Sequence, residues 1–161
     1  MELRGVEELM ERLRGCALRD HALRTAALLR RSRPADKELQ VAGLVHVLGE
    51  TPPGGDADRA ADAVRALLGE RVARLVWLHA PAERYLAAVS SPAGVPGAGN
   101  GAMSPAEAAA FARDPLADDA LTLRQAHEAA TGPGLDAGVL EDWRTVLELV
   151  AARTVHHLPG A

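Results

Sequence analysis

The stretch MSPAEAAAFARDPLADDALTLRQAHEAA, residues 103–130, decides the fold class, because it holds two helix starts and one helix stop in a short run. Ser104-Pro105-Ala106-Glu107 has the capping-box pattern, with proline at the first helical position where its missing N–H has no helical partner to lose. The alanine-rich run that follows favours helix, since alanine surrenders no side-chain entropy there. It ends near Arg113. Asp114-Pro115 opens another helix through about Ala130, in which Leu116, Ala120, Leu123 and His127 recur three and four residues apart and so share one face.

Working outward, the same period recurs along the chain, and no stretch alternates long enough to suggest a strand. A first helix is expected from Glu2 to Arg14, a second from Cys16 to Ser32 ended by Pro34, and a third from Ala35 to Leu48. Residues 49–55, GETPPGG, form a turn or loop. Asp56 or Asp58 caps a fourth helix that reaches Leu68 and closes on Gly69. The fifth starts near Glu70 and passes His79, and Pro81 predicts a kink or a fresh start within it. Residues 90–102 lack an apolar period and read as a flexible Gly/Pro/Ala loop. Gly132-Pro133-Gly134 separates the seventh helix from a last one over Gly138–His156. The expectation is an all-α bundle of about eight helices, in one domain over 1–161 and without internal repeats.

Composition narrows the function. The chain has 161 residues and is 48% hydrophobic, yet its only aromatic side chains are Trp77, Trp143, Tyr85 and Phe111, so the core must be built of Ala, Leu and Val. A net charge of -4 with no basic run argues against nucleic acid as a partner. Lone Cys16 excludes an internal disulfide. The opening Met-Glu-Leu-Arg lacks the features of a leader, and no apolar run approaches the roughly 18 to 20 residues of a membrane span, so a soluble cytoplasmic protein is expected.

Four of the six histidines fall on apolar stripes of four different helices. His21 lies with Leu18, Thr25 and Leu28; His46 with Leu39, Ala42 and Gly43; His79 with Val72, Leu75 and Val76; His127 with Leu116, Ala120 and Leu123. All four should point inward. One inward histidine is ordinarily a core residue bonded to a carbonyl. Four imidazoles in a core poor in aromatics, each needing a polar partner, leave two readings open from spacing alone: separate core histidines, or a shared polar or metal site. His156 and His157 sit side by side at a frayed helix end and read as terminal residues.

The residues 103–130 also resemble one branch of the HD-domain superfamily, the phosphonate-degrading HD-domain oxygenases. The resemblance rests on Met103-Ser104-Pro105-Ala106-Glu107-Ala108-Ala109-Ala110-Phe111, on Asp118-Asp119-Ala120 followed by Leu123-Arg124, on Arg84-Tyr85-Leu86 soon after a histidine, and on Leu44-Val45-His46-Val47-Leu48-Gly49 at the motif that names the superfamily. It spans about Asp20 to Trp143. It implies a helical bundle holding a mixed-valent di-iron pair through four histidines and two aspartates, of which His21, His46 and His79 match three.

The same resemblance implies an altered site. The bridging aspartate falls at Val47, which cannot ligate a metal. The fourth histidine falls at or near Asp56, the last aspartate at His127, the second histidine of the motif at Glu50, and the lysine that pairs with phosphonate at Glu83. A conventional di-iron oxygenase or HD phosphohydrolase is therefore not expected. Three readings remain. In the first, no cofactor is bound and His46, His79, Asp56, His127, Glu83 and Glu50 line a pocket for a small-molecule substrate, acting as general acids and bases in an elimination, isomerisation or cyclisation such as a biosynthetic step. In the second, His21, His46 and His127 hold one divalent metal, zinc or iron, for hydrolysis or lyase chemistry. In the third, the chain binds a small molecule without turning it over.

Overall fold

The computed structural model describes residues 2–50, 57–90, 103–132 and 135–156. Among them every regular element is a helix: α1 (Val6–Arg14), α2 (Arg19–Ser32), α3 (Lys37–Val45), α4 (Ala57–Leu68), α5 (Glu70–Ser90), α6 (Pro105–Arg113), α7 (Ala117–Ala129) and α8 (Arg144–His156), with short 3₁₀ turns at His46–Gly49 and Leu140–Trp143. The expected all-α bundle of about eight helices is what forms. No helix of the described residues is long and apolar enough to cross a membrane.

Helix α3 is the centre of the bundle. Leu39 through Val45 are all buried, including Gln40, and the helix packs against α2, α5, α7 and α8. A helix that is apolar on every side can only be stable inside the core. Its start is fixed by Asp36, whose carboxylate accepts from Leu39 N at 3.0 Å and takes both Arg71 nitrogens at 2.7 Å. Arg71 also reaches Asp119 at 3.0 Å, so one guanidinium ties together the start of α3, α5 and α7.

Several boundaries differ from the expectations. Helix α3 ends at Val45 and tightens into a 3₁₀ turn, so His46 to Gly49 are no continuation of an α-helix. The last helix begins at Arg144 after its own 3₁₀ turn. Helices α1 and α2 start several residues late, and Asp58 lies inside α4 rather than capping it. Of the two outcomes expected at Pro81, the fresh start does not occur: α5 continues through it from Glu70 to Ser90. Burial of Val72, Ala73, Leu75, Val76, Leu78, His79 and Ala82 along its length outweighs one lost backbone bond. At α6, Ser104 accepts from Glu107 N at 3.1 Å as the cap predicts. The Glu107 carboxylate, however, pairs with Arg84 at 2.8 Å instead of returning to the cap. Gly69, at φ 95°, makes the tight α4–α5 junction in a left-handed conformation that favours glycine. Of the loop expected over 90–102, Ser90 is the last residue of α5 and 91–102 lie outside the described residues.

Candidate functional site

The four inward histidines meet. His21 comes from α2, His46 from the end of α3, His79 from the middle of α5 and His127 from the end of α7. Their rings lie with centroids 4.4 Å apart for His21 and His127, 4.7 Å for His46 and His79, and 4.7 Å for His79 and His127. His46 and His79 are buried, at 2% and 6% exposure. His21 and His127 are partly accessible, and so form the cluster's outer side.

The contacts between the rings are specific. His46 Nδ1 lies 2.6 Å from the Gly43 carbonyl. A carbonyl only accepts, so Nδ1 carries the hydrogen and, in a neutral ring, Nε2 presents a lone pair. That Nε2 is 2.9 Å from His127 Nδ1, and His21 Nε2 is also 2.9 Å from the same Nδ1. One ring nitrogen carries at most one hydrogen, so three nitrogens share a single proton at best. Burial pushes the His46 ring down to about 3, helped by the neighbouring His79 imidazole, and burial with His79 nearby takes His127 down to about 4. Burial also lowers His21. These three imidazoles are neutral at pH 7 and offer lone pairs.

Glu50, at the end of the 3₁₀ turn, brings the carboxylate. Its Oε1 is 3.0 Å from His79 Nε2 and 4.0 Å from His127 Nδ1. Burial works to raise this carboxyl, and the hydrogen bond from His79 with the neighbouring imidazoles overcomes it, so the group stays ionised. Arg124 Nη1 also lies 3.3 Å from His79 Nε2. His79 Nε2 thus faces a carboxylate that only accepts and a guanidinium that only donates, and it cannot serve both. Its other nitrogen, Nδ1, is buried with no hydrogen-bond partner.

One donor atom from each of His46, Glu50, His79 and His127 falls within 4.8 Å of all the others. The donor chemistry fits a divalent ion of the zinc or iron type: three imidazoles with one carboxylate, one ring held by a backbone carbonyl as metal-bound histidines commonly are, and an orphaned buried nitrogen. The residues expected to ligate, His21, His46 and His127, are in mutual contact through His127. His79 and Glu50, expected as acid-base groups, stand equally close.

The remaining expected residues are placed differently. Glu83, one turn beyond His79 on α5, is 59% exposed in its side chain and reaches Arg124 at 3.4 Å, the guanidinium that also lies 3.3 Å from His79 Nε2. Asp56 lies outside the described residues. Val47 is fully buried in the core. Arg124, only 12% exposed in its side chain, was not singled out as a site residue by its spacing, and neither was Arg24, which donates to the Ala130 carbonyl at 2.9 Å beside His21. Their signal was faint: each is an arginine at the border of an apolar stripe. A surface groove of about 460 Å3 between α4 and α5, lined by Asp58, Asp62, Arg65 and Trp77 among others, contains none of the cluster residues. Comparison with known proteins finds neither a family model nor a curated protein that matches the chain.

Proposed function

We propose that this chain is a divergent HD-domain protein that holds one divalent metal ion between His46, Glu50, His79 and His127 and uses it on a small molecule. The observation that carries the reading is the convergence of lone pairs. His46, its Nδ1 held by the Gly43 carbonyl, presents a bare Nε2 2.9 Å from His127 Nδ1, and one donor atom from each of His46, Glu50, His79 and His127 falls within 4.8 Å of the others. A divalent ion, when bound, supplies Lewis acidity and brings the pKa of water to about 7, which suits hydrolysis or a lyase step. The residues do the rest. The Gly43 carbonyl holds the His46 tautomer, the buried walls exclude water, and Glu50 balances charge beside His79. Val47, where the resemblance expects a bridging carboxylate, leaves one ion better served than two.

The HD assignment is supported by the meeting of His21, His46 and His79, the three histidines that the resemblance matches, with His127 joining them where the resemblance has an aspartate. A second, metal-free reading is favoured by the 3.0 Å contact between His79 and Glu50, a carboxylate–imidazole pair of the kind that moves protons in eliminations and isomerisations. Elemental analysis of untagged protein separates them. About one zinc or iron per chain is expected, and less than about a tenth would overturn the metal reading in favour of the acid-base pair.

A further inference from the structure

Gly43 lies on α3 where that helix crosses α2. A Cβ built at this position would come 2.5 Å from Leu29 Cδ1, 3.5 Å from Thr25 Cγ2 and 3.6 Å from Ala26 Cα. The last contact, to backbone, is an ordinary van der Waals distance, so the tight point is the end of the Leu29 side chain, which is fully buried and has little room to give way. The short connection between α2 and α3 makes them antiparallel neighbours. His46 lies three residues beyond Gly43 and His21 five residues before Ala26, so both imidazoles sit roughly one turn from the crossing, on its same side. The Gly43 carbonyl is also the acceptor for His46 Nδ1 at 2.6 Å. Thr25, which lines the crossing, bonds its hydroxyl to the His21 carbonyl at 2.9 Å.

We propose that Gly43 is the positioning residue of the imidazole cluster: its missing Cβ sets the α2–α3 separation at which His21 and His46 both reach His127, and its carbonyl fixes the His46 ring. The inference rests on the cluster being the functional site, but not on a metal being bound. Glycine inside a helix is destabilising relative to alanine, so its presence in the central helix calls for a packing reason, and the Leu29 contact is that reason. An alanine forces Leu29 to move or the helices to part. Parting by a few tenths of an ångström lengthens two contacts that are now 2.9 Å.

The test is a double-variant cycle on the full chain, using Gly43→Ala, Leu29→Val and both together. Valine lacks the δ carbon that the new methyl would strike. The primary readout is the imidazole nitrogen NMR spectrum of metal-free protein; the second is cobalt(II) affinity. Gly43→Ala is expected to shift the His46 and His127 nitrogen resonances and to weaken cobalt binding about tenfold. Leu29→Val alone should leave both unchanged, and the double variant should return both to wild type, the affinity to within about threefold. An unshifted imidazole spectrum in Gly43→Ala, or a double variant as displaced as the single one, overturns the proposal. Should wild type take no cobalt, the metal reading falls while the nitrogen spectra still decide the role of Gly43. A Gly43→Ala chain that does not fold leaves the double variant, freed of the clash, to decide by the same spectra.

Discussion

His127 Nδ1 lies 2.9 Å from His46 Nε2 and 2.9 Å from His21 Nε2, joining α7 to α3 and α2 through one nitrogen atom. His127 is therefore the hub of the cluster, whereas His21 touches it from one side only. The resemblance places an aspartate at this position. An imidazole there replaces a charged donor with a neutral one, and Glu50 supplies the carboxylate the cluster would otherwise lack.

Unequal losses follow for the imidazoles. His127→Ala and His46→Ala are expected to lower cobalt or zinc affinity by more than 100-fold, since each removes a ligand that others face. His21→Ala should cost about tenfold, the scale of an orienting contact. Isothermal titration of metal-free protein reads all three. Equal losses for His21→Ala and His127→Ala would instead put His21 in the ligand set in place of Glu50 or His79.

Glu50 offers a sharper distinction. Glu50→Gln keeps the size of the side chain and removes its charge, leaving His79 Nε2 beside Arg124 without the carboxylate between them. Metal affinity is expected to fall about 10- to 100-fold. Turnover, once a substrate is known, should fall with it if the metal carries the chemistry. If activity disappears while the metal content stays at one per chain, Glu50 works as a proton carrier.

The inward stripes were legible because helical period alone dictates which residues share a face, and His21, His46, His79 and His127 each continued such a stripe. What the period could not give was the meeting of Glu50 with His79. That contact depends on α3 tightening into a 3₁₀ turn at His46, which swings residue 50 towards α5 and is a product of tertiary packing. The uninterrupted α5 was hidden for a similar reason: local sequence sees the donor that Pro81 lacks, while the burial on either side of it is set by helices distant in the chain. Glu83 illustrates what local sequence leaves open: a wall of the pocket or a partner for Arg84 or Arg124, and its side chain pairs with Arg124, which in turn lies 3.3 Å from His79 Nε2.

The Asp36–Arg71 pair predicts acid sensitivity. Hydrogen bonds from Arg71, with that of the Leu39 amide, hold the Asp36 carboxyl below its ordinary value of 3.8 against the opposing effect of burial. A carboxylate lowered in the folded state stabilises fully above its unfolded value, and that stability is lost as pH falls through the folded value. Asp36→Asn retains a helix-capping side chain but no charge. It should be less stable than wild type at pH 7, by urea denaturation, and the gap should close as pH falls below 3.8. A gap that is constant from pH 7 to pH 2 would mean that the ion pair contributes nothing.

Pro81 lies within α5, so the Trp77 carbonyl four residues earlier has no helical donor. Proline in a helix interior costs about 3 kcal/mol relative to alanine, and part of that is offset because proline also restricts the unfolded chain, an effect of about 0.4 to 1 kcal/mol. Packing around this site has already adapted to the ring, which reduces the gain further. Pro81→Ala should therefore stabilise by about 1 to 2 kcal/mol, raising the melting temperature by several degrees for a chain of this size. The helix is already continuous, so the positions of His79 and its partners should not move, and metal affinity should stay within about threefold of wild type. A stabilised variant with markedly weaker binding would instead assign Pro81 a part in aiming His79, two residues before it.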